Sequence, residues 1–364
     1  GHTTHQTYIE RRLRRMKIYY YHTRPIASAL KEWKEHTHPG HILYGLTHFP
    51  KNGIDPVLHP YKHFTSRWKL MWYNLHTILR CKENYDVVYG TSYRGLELLI
   101  FLRALGLFRK PIAVWHHQAV PQSKGWLKNL LSRLFYKGID CMFFFSKALI
   151  DDSLKTGKVK EKDMYLIHWG ADLDFYDRMR NEAKDKEFIS TGKENRDLAT
   201  LLQAFSHTRL EFDLYTSPAN GDQKYEEITN RFQGKNNIHI HIVEGIIPYQ
   251  LALEVARSKA VVISCLNYPY TVGLTTLVEA LALGLPIIST RNTKFEMNLE
   301  LEQAGMLVDY GDVAGWEKAL QYLHDHPEQA LKMGENGRKL AETTYNLENY
   351  SRELSEVLLK RFNR

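Results

Sequence analysis

The chain has 364 residues, of which 43% are hydrophobic and 25% charged, so wholesale disorder is excluded and two domains of ordinary size are expected. A net charge of +8 and a pI near 9.1 call for an anionic partner: nucleic acid, a membrane surface or a phosphorylated substrate. Cys81, Cys141 and Cys265 are scattered and odd in number, which argues against a disulfide framework and fits a reducing cytoplasm.

Residues 1–15 show neither apolar periodicity nor the apolar core of a signal peptide, and Met16, opening a strand-like run, reads as a native start. "MKIYYYHT" (16–23) is expected to be a buried first strand. "HILYGLTHFPKNGID" has helical apolar spacing ending near Gly53, and "PVLH" reads as a short strand. Next come strand "YDVVYGTS" (85–92), helix "RGLELLIFLRAL" and strand "KPIAVWHHQ" (110–118). The run "LELLIFLRALGLF" falls short of the ~18–20 apolar residues that span a bilayer and contains Arg103. A basic amphipathic helix, "SKGWLKNLLSRLFYKG", then leads to strand "IDCMFFFS" (139–146).

The second half repeats this alternation. "EFISTGK", "EFDLYTS", "IHIHIV", "KAVVISC", "LPIISTR" and "GMLVDYGD" read as strands, with helices in "DLATLLQAF" and "PYQLALEVARS". Alternating strands and helices predict doubly wound parallel sheets, hence an α/β protein of two domains. Apolar periodicity fades into charge over 169–188, which marks the join. The predicted units are 16–175 and 186–345, followed by an amphipathic helix, "NLENYSRELSEVLLKRF", in 346–364.

The most informative stretch is "TVGLTTLVEALALGLPIIST", Thr271–Thr290, between a strand and a helix. Helix N-termini expose unpaired N–H groups and partial positive charge. Gly273 permits close backbone approach, and Thr275 and Thr276 supply hydroxyl donors, so Gly273–Thr276 suit a phosphate or diphosphate. Glu279, one turn further in, could accept hydrogen bonds from a ribose diol. The same residues also suit an ordinary helix with threonine caps, and local chemistry leaves both readings open.

The stretch resembles the donor-binding signature of retaining GT-B glycosyltransferases of family four: two glutamates separated by seven residues, small apolar residues, then Gly-x-Pro. "VEALALGLPIIST" matches the second half, with Glu279, Gly284 and Pro286 in place; Thr271 stands where the first glutamate is usual. Segments 139–176, 188–205 and "VEGIIPYQLALEVARSKAVVISC" resemble further parts of the family in the expected order. The resemblance implies two Rossmann-like domains facing a central cleft, the first for acceptor and the second for nucleotide sugar. It also implies that the last helix crosses back to the first domain.

It further implies site roles. Lys193 and Arg196 would neutralise the departing diphosphate, and His117, with His116 as its rival, would contact the donor sugar. Gly40, beside His41 in "THPGHILYG", would sit near phosphate and acceptor. Asn195, Glu244 and Ile247 would lie near the nucleotide, and Thr271, Val272 and Leu274 would line the donor site with their neighbours. No metal or other cofactor is expected: adjacent strand histidines point oppositely and no Cys or Asp nearby completes a site.

The expected function is transfer of a hexose from a UDP- or GDP-sugar to a glycan or lipid-linked acceptor, in cell-surface polysaccharide, glycolipid or glycoprotein glycan synthesis. A degenerate binding subunit, kept open by Thr271, is the alternative; a nucleotide-sugar epimerase or a phosphorylase on the same fold is a second enzyme class, and no motif for the phosphorylase's pyridoxal phosphate appears. No nucleic-acid reader motif appears. In "SKGWLKNLLSRLFYKG", Trp126, Leu127, Leu130, Leu131, Leu134 and Phe135 share one face, rimmed by Lys124, Lys128, Arg133 and Lys137. With "RRLRRMK", "RWKLMWYN" and "LFRK", this leaves open an anionic membrane surface as partner, and a cytoplasmic protein peripheral at the inner membrane face. The competing reading packs that face on the sheet.

Overall fold

The computed structural model describes residues 15–363; most of the basic run at 11–17 lies outside the described residues. Two six-stranded parallel sheets carry the fold. The first comprises β1 (Met16–Tyr21), β2 (Ile54–Leu58), β3 (Val87–Gly90), β4 (Ile112–Trp115), β5 (Cys141–Phe144) and β6 (Met164–Leu166), in the order β2-β1-β3-β4-β5-β6. The second comprises β7 (Lys186–Ser190), β8 (Phe212–Thr216), β9 (Ile238–Ile242), β10 (Ser258–Ile263), β11 (Ile287–Thr290) and β12 (Gly305–Val308), in the order β12-β11-β10-β7-β8-β9. Helices flank both sheets, so the architecture is two Rossmann-like units, as the alternation predicted.

Central strands are buried on both faces, which is why they read as continuous apolar runs. β1 instead buries three consecutive tyrosines, and each hydroxyl is bonded: Tyr19 to His59 Nδ1 (2.6 Å), Tyr20 to the Leu43 carbonyl (2.6 Å) and Tyr21 to the Arg94 carbonyl (2.6 Å).

In each sheet the strand order reverses direction at one point, between β1 and β3 in the first and between β7 and β10 in the second. Open α/β sheets bind ligands outside the carboxyl ends of strands at such switch points. The chain crosses between the units twice, and the crossings run side by side: Ala171 N–H donates to the Tyr345 carbonyl (3.3 Å) and Leu347 N–H to the Ala171 carbonyl (2.9 Å). The final helix, Leu347–Phe362, packs on the first unit, where Tyr350 donates to the His41 carbonyl (2.6 Å) and Arg361 to the Asp140 carbonyl (2.9 Å).

One expectation is corrected. "HILYGLTHFPKNGID" forms not one α-helix but three short 3-10 turns, Gly40–Leu43, Leu46–His48 and Pro50–Asn52. Tyr44 and Gly45 both adopt positive φ (55° and 95°), which ends any helix there. The basic amphipathic helix, Trp126–Lys137, does not bury its whole apolar face: Phe135 packs on the core, whereas Trp126, Leu127, Leu130 and Leu131 are exposed.

Candidate donor site in the interdomain cleft

The site is built first from the loop after β7. Gly192 (φ 88°) and Asn195 (φ 49°) turn this loop sharply and fold Arg196 back beneath it. A Cβ at Gly192 would come within 2.2 Å of the Arg196 guanidinium, so only glycine leaves room. Arg196 is buried, and its guanidinium donates to the Glu194 carbonyl (2.8 Å) and to Thr276 Oγ1 (3.0 Å). Asn195 donates to the Tyr270 hydroxyl (2.8 Å), which donates to Glu194 Oε1 (2.5 Å). Lys193 is exposed, and its carbonyl accepts from Tyr225 (2.6 Å).

The second component is the helix Leu274–Leu283, which follows β10 at the same switch point. Gly273 precedes it at φ 83°, and a Cβ there would meet Ile263 at 2.9 Å and Cys265 Sγ at 3.1 Å. Thr271 and Val272 are buried just before it, and Leu274 is buried at its start. Thr275 Oγ1 accepts from Trp169 Nε1 (3.2 Å) and Thr276 Oγ1 from Arg196. Each hydroxyl therefore keeps its own proton to donate. Glu279 accepts from the Tyr176 hydroxyl.

Behind Glu279 stands the fully buried His41. Its Nδ1 accepts from the Asp172 amide (3.1 Å), which places its proton on Nε2, 3.6 Å from Glu279 Oε2. Tyr176 of the crossing segment thus orients a carboxylate of the second unit, while the buried His41 Nε2 faces it without a hydrogen bond among the described residues. Neither Tyr176 nor His41 backing Glu279 was foreseen from sequence.

From the first unit, His117 reaches the cleft and His116 does not. His116 Nδ1–H donates to the Gln118 carbonyl (2.5 Å) and its Nε2 accepts from Tyr136 (2.7 Å), with the ring stacked on Phe144; burial pushes it down to about 4. His117 Nε2–H donates to the Thr91 carbonyl (2.8 Å), and burial lowers its pKa. A neutral ring so held presents Nδ1 as an acceptor.

Two cavities divide the cleft. One, of about 520 Å³, is lined by Tyr44, His117, Lys193, Arg196, Thr271 and Gly273 among others. The other, of about 380 Å³, is lined by Arg24, Pro39, Tyr176, Ile246, Leu251 and Glu279 among others. They meet at Thr275 and Thr276, which line both.

Six of the expected residues, Gly40, His116, Asn195, Glu244, Ile247 and Val272, line neither cavity. Gly40 spends its amide on Asp172 Oδ2 (2.8 Å) and is packed against Trp33 and Leu347. Glu244 and Ile247, expected to meet the base through their backbone, are exposed; Ile246 lines the smaller cavity, and Ile247 is the N-cap of the helix Pro248–Ala256. Among the described residues there is no group of three or more His, Cys, Asp or Glu that could hold a metal ion.

Two Rossmann-like units facing one cleft, each with a switch point, define the GT-B architecture. Residues 182–340 match the family model described as "Glycosyl transferases group 1". The fold is similar to that of sucrose-phosphate synthase from Thermosynechococcus elongatus (TM-score 0.71, 15% identity, covering 95% of this chain and 99% of that one). It is also similar to Anabaena HepE in complex with UDP and glucose (TM-score 0.66, 11% identity, 94% and 99%) and to a glycosyltransferase from Rickettsia africae (TM-score 0.68, 13% identity, 95% and 97%). A 91-residue segment is 33% identical to D-inositol 3-phosphate glycosyltransferase of Corynebacterium kroppenstedtii, spanning 25% of this chain and 20% of that protein.

Proposed function

We propose that the protein is a glycosyltransferase that moves a hexose from a UDP- or GDP-sugar to an acceptor hydroxyl with retention at the anomeric carbon. The observation that carries this reading is the buried Arg196 guanidinium bonded to Thr276 at the start of the helix 274–283, with Glu279 one turn further in. A fixed cation, hydroxyl donors and helix N–H groups converge where a diphosphate would sit, and a carboxylate follows where a ribose would. The match of residues 182–340 to glycosyl transferases group 1 supports the same assignment.

In this reading the sugar–oxygen bond to the diphosphate breaks as the acceptor oxygen attacks on the same face, and the acceptor proton leaves with the diphosphate. Arg196, Lys193 and the helix N-terminus stabilise the departing charge, so no metal is required. His117 accepts a hydrogen bond from a donor-sugar hydroxyl through Nδ1. Positioning supplies the remainder, with no side-chain nucleophile.

The acceptor is a glycan or lipid-linked sugar, reached by peripheral attachment of a cytoplasmic enzyme to an anionic membrane face. Four exposed apolar residues of the helix 126–137, rimmed by Lys124, Lys128, Arg133 and Lys137, support this. Among the described residues no helix is long and apolar enough to cross a membrane. Co-flotation with anionic liposomes at low salt, lost in Trp126→Ser/Leu130→Ser, is the expected result; no co-flotation of the wild type would sink this part.

UDP- and GDP-sugars should raise the melting temperature, and the stabilising donor should be hydrolysed slowly without acceptor. Absence of nucleotide binding would overturn the reading. Binding without turnover for any donor and acceptor would favour a degenerate subunit instead.

A further inference from the structure

The larger cavity of the cleft, of about 520 Å³, holds one group that neutralising a diphosphate does not explain. Glu194 follows Lys193 in the loop after β7 and lines this cavity, and among the described residues no other carboxylate does. A negative charge beside a bound diphosphate opposes its binding. A carboxylate in this place serves a different part of the ligand.

The carboxylate is held in position. Glu194 Oε1 accepts from the Tyr270 hydroxyl (2.5 Å), which itself accepts from Asn195 Nδ2 (2.8 Å), so the tyrosine proton is committed to Glu194. Burial, and then the bond to Glu194, raises the pKa of Tyr270 and keeps that proton in place. Tyr270 is pinned in turn through its main chain: its carbonyl accepts from Asn292 Nδ2 (2.8 Å), and it forms an antiparallel bridge with Gln118 of the first unit. Arg196 takes the Glu194 carbonyl (2.8 Å) and leaves the carboxylate alone. Among the described residues Glu194 Oε2 accepts no hydrogen bond, so it is open to a ligand.

The position along the cleft says which part of the ligand that is. Glu279 belongs to the smaller cavity and Thr275 and Thr276 to both, so a nucleotide whose ribose meets Glu279 directs its sugar into the larger cavity. His117 stands there too. Burial lowers its pKa, while the bond to Thr91 and the charge of Glu194 oppose that shift, so the two side chains sense each other across the cavity. Thr271, buried next to Tyr270, adds a hydroxyl and no charge. His117 Nδ1 and Glu194 Oε2 are both acceptors, and a ring bearing several hydroxyls supplies the donors. A sugar carboxylate in the same place would meet Glu194 as a like charge.

We infer that Glu194 is a specificity-determining residue, which accepts hydrogen bonds from hydroxyls of the donor sugar and selects a neutral hexose over a hexuronic acid. The inference rests on the glycosyltransferase reading and narrows its donor class.

The test is titration of the full chain and of Glu194→Ala with whichever of UDP and GDP binds, with its neutral donors (UDP-glucose and UDP-galactose, or GDP-mannose) and with its uronate donor (UDP-glucuronate or GDP-mannuronate). The readout is the affinity of each donor relative to its own free nucleotide in the same protein. For at least one neutral donor this ratio should fall roughly tenfold in the variant, the weight of a charged hydrogen bond. For the uronate donor it should rise, because the like charge is gone. The free nucleotide should bind the variant at least as well as the wild type, which also reports correct folding; a loss confined to loop structure would instead weaken nucleotide and donors together and leave the ratios unchanged. A ratio unchanged for every neutral donor, or a uronate ratio that does not rise, overturns the inference. Failure of both UDP and GDP to bind the wild type would instead remove the glycosyltransferase reading.

Discussion

The two units present their switch points to one cleft, yet they hold polar groups in opposite ways. In the second unit the groups are pre-bonded: Arg196 to Thr276, Asn195 to Tyr270, Glu279 to Tyr176. In the first, the cations at the switch point, Lys62 and Arg94, are exposed to solvent. A rigid constellation suits a group every turnover shares, the nucleotide diphosphate, since fixed dipoles need not reorganise as charge develops. Exposed cations on an open wall are already solvated, and removing them should change little. The contrast is breakable by mutation, and the second unit should show the larger effects.

Arg196→Ala should be the most damaging change. It removes a buried cation and its bond to Thr276, and turnover should fall on the order of 10²–10³-fold. Because the guanidinium also fills the space under Gly192, the melting temperature should drop as well. Arg196→Lys keeps the charge without the planar fork and should recover only part of the rate. Steady-state kinetics beside a thermal melt separate the two losses; full activity in Arg196→Ala would end the assignment.

Glu279→Ala comes next. Loss of charged hydrogen bonds to the ribose, worth roughly 1.5–3 kcal/mol, should weaken UDP or GDP binding about 10- to 100-fold. Pyrophosphate, which has no ribose, should bind both proteins alike, and an equal loss for both ligands would show that the variant merely disturbs the helix. His117→Ala, across the cleft, should act more mildly. It should lower kcat several-fold, by about one hydrogen bond, and leave nucleotide affinity unchanged; a selective loss of nucleotide binding would put His117 in the wrong half of the site.

The same contrast governs what was legible in the sequence. The buried strands were readable because a parallel sheet covered on both faces needs apolar runs such as "CMFF" and "VVYG". The helix start at Gly273 was readable because glycine, threonines and carboxylate are neighbours in the chain. Partners distant in sequence were not. The amide of Gly40 is taken by Asp172, 132 residues away, and Glu279 is backed by Tyr176 and His41, 103 and 238 positions removed by residue number. Nor could alternation along a strand decide between His116 and His117: it says that they point oppositely, and only the packing of Tyr136 and Phe144 shows which side is the core. The apolar spacing of 41–55 misled because Tyr44 and Gly45 turn left-handed, and apolar spacing carries no signal of that.

The smallest expected effect lies where the final helix meets the first unit, away from either switch point. Glu353 accepts from the His168 amide (3.0 Å) and from His168 Nδ1 (2.8 Å), and this bond raises the pKa of His168. A histidine whose folded pKa exceeds its unfolded value of about 6.5 adds stability that is complete below ~6.5 and disappears as pH climbs through the folded pKa. The backbone amide bond does not titrate, and the carboxamide oxygen introduced by Glu353→Gln could still accept it, so this substitution isolates the ionic part. The wild type should therefore melt above Glu353→Gln at pH 5.5, by on the order of one to a few degrees given the partial solvent screening of the pair. At pH 8.5 the two should converge, because the carboxamide oxygen keeps the His168 amide and the carboxamide NH2 can donate to the unprotonated Nδ1 of the neutral ring. All other titrating groups are common to both proteins and cancel in the difference. A gap that is the same at both pH values would mean that His168 is held by geometry alone, and that the helix 347–362 is anchored to the first unit by its buried side chains and by Arg361, not by charge at this position.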